Sequence, residues 1–153
     1  MVTSKKKLIM NKKGPIVLIG NKNEDRKLFI DIFSELKLTN KMICFDSCNE
    51  AQHYLSSKRV RPFLMFSDIE LFHKEQSSYK NICLKMNCPC LFFTTLFNQC
   101  FVIDSYSMPT QSYFVKPYKY EKFKEVIQCV IQYWRKNKLT VQNKSENKIT
   151  SEF

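Results

Sequence analysis

A chain of 153 residues with 44% apolar side chains is long enough to bury one core without help from disulfides or metal, and one domain is expected. No run approaches the roughly 18 apolar residues of a membrane-spanning helix, and the opening MVTSKKKLIMNKKG has no apolar stretch of signal-peptide length, so a soluble, cytoplasmic protein is expected. The formal net charge of +11 raises nucleic acid or acidic surfaces as partners, but five lysines lie in the first 13 residues and more lie between Lys136 and Lys148, in segments that read as solvated tails.

In chain order, residues 1–13 read as a basic arm and PIVLI (15–19) as a strand buried on both faces. After Gly20, Asn23 is placed to cap a helix whose first turn holds the acidic Glu24 and Asp25, taken here as capping charges. Leu28, Phe29, Ile32, Phe33 and Leu36 give that helix one apolar stripe. KMICFD (41–46) is a second strand, and Ser47 caps a helix from about Asn49 to Ser56. Pro62 introduces a third strand ending at Asp68, residues 69–73 read as a loop, and a helix carrying Tyr79, Ile82, Cys83 and Leu84 runs to about Met86. Pro89 opens the fourth strand, CLFFT, ending at Thr94. A fourth helix is expected before Pro109. SYFV (112–115) is the fifth strand, and Tyr120–Lys136 is the clearest helix, with Phe123, Val126, Ile127, Val130 and Ile131 at intervals of three and four. From 138 onward the composition is that of a polar tail.

Five strands alternating with five helices specify a parallel α/β sandwich, because parallel neighbours need a crossover and a helix is the usual one. In such a sheet the residues that handle ligands gather beyond the carboxyl ends of the strands. Asp68, Thr94 and Lys116, the last standing before Pro117, close three of the apolar runs and would deliver a carboxylate, a hydroxyl and an ammonium to one crevice. The first strand brings only Gly20 and Asn21.

This order of elements and end residues over 14–137 resembles the receiver domain of two-component response regulators. The resemblance implies a flavodoxin-like, doubly wound sheet in the order 2-1-3-4-5. It places Asp68 on the phosphoacceptor position, Thr94 on the hydroxyl switch, Lys116 on the family's lysine and Tyr113 on the rotating aromatic of the last strand. It also implies Mg2+, held by Asp68 and an acidic pair at the end of the first strand. Gly20 and Asn21 replace that pair, so Asp68 would be the only carboxylate of the usual three, and Mg2+ binding and phosphorylation at Asp68 are expected to be impaired. Lys116 can form a standing salt bridge with Asp68.

The implied role is a single-domain regulator that signals by protein–protein interaction rather than an enzyme. Its partner would be a sensor histidine kinase or another signalling protein, and the face from fourth helix to fifth helix would be the output or homodimer surface. The ending IQYWRK (131–136) resembles that of single-domain receivers paired with phytochrome-type kinases. A rival reading uses the lysine-rich arms to bind nucleic acid, with Tyr118, Tyr120, Tyr133 and Trp134 as stacking surfaces, but no recognised nucleic-acid motif accompanies them. A hydrolase lacks support, since His53 and His73 are isolated. The seven cysteines lack the paired spacing of zinc sites, and Cys90 reads as a core residue.

Overall fold

The computed structural model describes residues 10–20, 22–94, 111–117 and 119–136, with the side chains of 111–113 excepted. Strands β1 (Ile16–Ile19), β2 (Met42–Phe45), β3 (Leu64–Asp68), β4 (Cys90–Thr94) and β5 (Gln111–Val115) form one sheet in the order β2-β1-β3-β4-β5. Every neighbouring pair is parallel. The described helices are α1 (Asn23–Leu36), α2 (Cys48–Lys58), α3 (Ile69–Lys74), α4 (Gln76–Met86) and α5 (Tyr120–Lys136). The fold class, strand order and strand positions are those expected. The helix expected before Pro109 lies outside the described residues.

Alternation along each strand divides the core in two. Ile16, Leu18, Leu64, Phe66, Leu91, Phe93 and Phe114 face α1 and α5, meeting Phe29, Ile32 and Phe33 on one helix and Phe123, Ile127, Val130 and Trp134 on the other. Val17, Ile19, Met65, Cys90 and Phe92 face the opposite way, onto α2, α3 and α4. Both faces of β1, β3 and β4 are thus dry, which is why those strands read as unbroken apolar runs, while β2 at the sheet edge is half-buried. Cys48, Cys83, Cys88 and Cys90 are buried on the second face as free thiols, and burial pushes the Cys48, Cys88 and Cys90 thiols well above their ordinary range. They are core residues, as the alternation at Cys90 indicates.

Three local outcomes differ from expectation. The first is that Lys22, not Asn23, occupies the cap of α1, with extended backbone and no side-chain cap bond, and Asn23 is already helical. Second, residues 69–73 form a helix rather than a loop. The Asp68 carboxylate accepts the Glu70 amide at 2.8 Å and so caps α3, while Ile69, Leu71 and Phe72 are buried beneath it. Third, ordered packing begins before residue 14: Met10 is buried in the core, and the Asn11 amide donates to the Arg61 carbonyl at 2.7 Å. No described helix is long and apolar enough to cross a membrane. Ser47 caps α2 as expected, its hydroxyl accepting the Glu50 amide at 3.1 Å.

Helices α1, α2 and α4 end on Lys37, Arg59 and Asn87, all in the left-handed region at φ 52°, 54° and 49°. Asparagine tolerates that conformation, whereas a lysine or arginine pays the Cβ clash that glycine avoids. Both Lys37 and Arg59 are exposed. Replacing either with glycine is expected to stabilise the protein by about 0.5–1 kcal/mol, after allowance for the freer unfolded chain. Urea unfolding checks this, and an unchanged or lowered midpoint for both variants would contradict it.

Candidate functional site

The carboxyl edge of the sheet carries Asp68, Thr94 and Lys116. Asp68 ends β3 with only 7% of its surface exposed, opposite Phe93 of β4 in the parallel register. Thr94 ends β4, and its carbonyl accepts the Lys116 amide at 2.6 Å, so the fifth strand passes Lys116 to the same edge. Tyr113 lies on β5 in register with Phe92, its side chain being outside the described residues. Asn21 is also outside them. Gly20 directly follows the first strand, its amide donating to the Phe45 carbonyl at 2.9 Å.

The charges at this edge pair differently from expectation. Lys116 does not bridge to Asp68. Its ammonium lies 2.6 Å from Oδ1 of Asp25, with the two side chains only 16% and 6% exposed. Asp25 is therefore a buried partner across the crevice rather than a capping charge. Asp25, Phe29 and Ile32 are spaced by four and three, so the helical stripe of α1, extended one turn toward its N-terminus, lands on this aspartate. That periodicity is the signal in the sequence that marks it.

Asp68 is held by other groups. Its Oδ1 accepts the Glu70 amide at 2.8 Å, and its Oδ2 lies 3.7 Å from the ammonium of Lys22, which is also 3.8 Å from Oε1 of Glu70. Arg26 completes the arrangement: its Nε donates to the Gly20 carbonyl at 2.9 Å and its guanidinium pairs with Asp46. Glu75, at the junction of α3 and α4, accepts the amides of Cys48 and Asn49 at 3.2 and 3.1 Å and so caps α2 from a neighbouring element. Burial raises the Asp68 carboxyl above its ordinary value. The Glu70 amide and Lys22 oppose that shift, and the Glu70 and Asp25 carboxylates add to it.

The described residues do not fit Mg2+. That ion takes oxygen ligands in near-octahedral array, one or two of them carboxylates. Position 20 supplies no side chain, Asp25 is committed to Lys116, and both Asp68 oxygens already have partners. No three His, Cys, Asp or Glu side chains among the described residues are grouped to hold a metal ion. Space is not the obstacle, because a Cβ built at Gly20 meets nothing within 4 Å.

Neither a sequence-family model nor a curated protein sequence matches the chain. Solved structures do. The response regulator RPA3017 in red-light signalling of R. palustris superposes with a TM-score of 0.69 at 11% identity, covering 83% of this chain and 97% of that one. The chain has the fold of a response-regulator receiver domain. The phosphorylated cyanobacterial phytochrome response regulator RcpA gives a TM-score of 0.68 at 17% identity over 84% of this chain and 98% of that one. The Mn2+-bound form of Rcp1 gives 0.64 at 18% identity over 83% and 98%.

Two predictions follow from the charges. Removing one member of a buried ion pair strands the other, at a typical loss of about 3 kcal/mol or more. Asp25→Ala is expected to lose about that much in urea unfolding, and adding Lys116→Met should restore at least half of it; a loss below about 1 kcal/mol would show that the pair does not hold α1 to the end of β5.

The second concerns pH. A carboxyl whose value is higher in the folded than in the unfolded state makes the native protein bind more protons, so its contribution is most favourable below the ordinary value of 3.8 and declines as the pH rises through the raised one. Asp68→Asn keeps an oxygen to cap α3 and removes the buried charge. The variant should be more stable than the parent at neutral pH, with the difference shrinking toward and below pH 3.8. Melting curves across that range test it, and a variant less stable at pH 7 would reverse the sign.

Proposed function

We propose that this protein is a receiver-type signalling module that acts by binding partner proteins and whose phosphorylation at Asp68 is impaired. The observation that carries the reading is the convergence of Asp68, Thr94 and Lys116 at the carboxyl edge of a receiver-fold sheet, on an edge where Gly20 offers no ligand. An aspartate attacks phosphorus readily only when ionised, reachable and supplied with positive charge for the phosphoryl oxygens. Here the Glu70 amide and the Lys22 ammonium already hold its two oxygens, and the lysine at 116 is directed to Asp25.

The partner is a sensor histidine kinase or another signalling protein, and the contact face is the region of β5 and α5, where Val115 and Tyr133 are 39% and 37% exposed. A second copy of the chain is the alternative occupant of that face. The module spans 14–137 with the ten-to-thirteen segment packed onto it, a basic segment before it and a polar tail after it. The rival nucleic-acid reading loses its best stacking ring, since Trp134 is 1% exposed in the core.

Incubation with acetyl phosphate and Mg2+, followed by intact-mass measurement, tests the reading. The parent chain should remain largely unmodified. Gly20→Asp with Asn21→Asp should bind Mg2+ at least about tenfold more tightly and gain a phosphoryl adduct that Asp68→Asn abolishes. Rapid, Asp68-dependent phosphorylation of the parent would overturn the claim of impairment.

A further inference from the structure

The acceptor edge is not simply short of acids; it has its own cation. Lys22 stands two residues after the bare Gly20, at the cap of α1, and its ammonium sits 3.7 Å from Asp68 Oδ2 and 3.8 Å from Glu70 Oε1. One positive centre therefore faces two carboxylates that belong to different elements, the end of β3 and the first turn of α3. The other cations of the edge are spoken for, Lys116 by Asp25 and Arg26 by Asp46 and the Gly20 carbonyl.

We propose that Lys22 is the resident counter-cation of the Asp68 site: it takes the role a divalent ion would have between Asp68 and Glu70 and so keeps divalent cations out. The proposal rests on the receiver-type reading only for the identity of Asp68 as the acceptor position; the charge geometry stands without it. A lysine ammonium is a compact point charge on a flexible stem, suited to replacing a bound cation without demanding octahedral ligands. With 47% of its side chain exposed, Lys22 can swing out into water, so removing it should not disturb the core. It adds one positive charge at the place where a divalent ion would have to dock, and it already faces one oxygen of each carboxylate. Glu70 thereby becomes part of the site.

The test is a Mn2+ titration of the full-length chain, reading free Mn2+ by its electron paramagnetic resonance signal, with circular-dichroism melts to confirm folding. The strength of a half-exposed pair corresponds to about fivefold in affinity, so Lys22→Ala should tighten Mn2+ binding by at least about that factor. Lys22→Arg should bind as weakly as the parent, because the charge is kept. Lys22→Ala with Glu70→Gln should lose the gain, because the second carboxylate is gone. Lys124→Ala, which removes an equal charge from the pair with Glu35, should change nothing. Binding by Lys22→Ala within about twofold of the parent, or an equal gain in Lys22→Arg or Lys124→Ala, would overturn the assignment. A parent chain that already binds Mn2+ more tightly than about 1 mM would instead defeat the reading of an impaired site, so the two failures appear in different proteins.

Discussion

The ammonium of Lys116 reaches the rim of the sheet because β5 runs parallel to β4 and ends where Thr94 ends, and once there it needs a carboxylate. Asp25 supplies it from α1, an element joined to β5 by no short connection. Two charges about 4 Å apart interact by about 4 kcal/mol at an effective dielectric of 20, and closer approach adds to that, while desolvation takes much of it back. What survives is geometric. With both side chains nearly buried, the pair fixes the start of α1 against the end of β5, and that in turn sets where Lys22 and Arg26, three and one residues from Asp25, can place their charges.

The other pairs differ in kind. The half-exposed Lys22 contacts its carboxylates at nearly 4 Å, in the range where surface pairs contribute about 0–1 kcal/mol. It therefore adds little to folding, and its effect is local, on what else can approach Asp68. Asp68 itself serves two ends at once, capping α3 and presenting a carboxylate. The cap requires an oxygen, which asparagine also offers, so the charge at this position is separable from the structural role.

The sheet was legible because both faces of its central strands are buried, which turns those strands into apolar runs, and because strands that end on polar residues declare the edge where those residues gather. Asp68, Thr94 and Lys116 could be placed for that reason. Helix α3 was not legible: at six residues it is too short for periodicity to show, and it depends on a cap from Asp68 and on burial of Ile69, Leu71 and Phe72 that only the fold supplies. Asp25 was misassigned because an acid in a first turn is ordinarily a capping charge, and its place on the Phe29–Ile32 stripe carries weight only when polar residues are counted as candidates for a buried face. Met10 lay in a segment whose lysines dominate its composition, so one buried side chain left no periodic trace. The partner of Lys116 depends on contacts between residues 91 positions apart, and no local pattern encodes that.

A bare Gly20 at the end of the first run does not by itself determine how the charges of this edge pair. The simplest pairing the sequence offers at this edge sets Lys116 against Asp68. Instead a second acid, Asp25, occupies Lys116, and a second cation, Lys22, faces Asp68. Each buried charge is thus met by another residue, and the open space at Gly20 means that no steric demand requires a glycine there. An edge balanced in this way keeps the strand arrangement of a receiver fold while each of its largely buried charges, Asp25, Lys116 and Asp68, is met by a neighbour of the chain itself, so that Asp68 is at once capped onto α3 and compensated by Lys22.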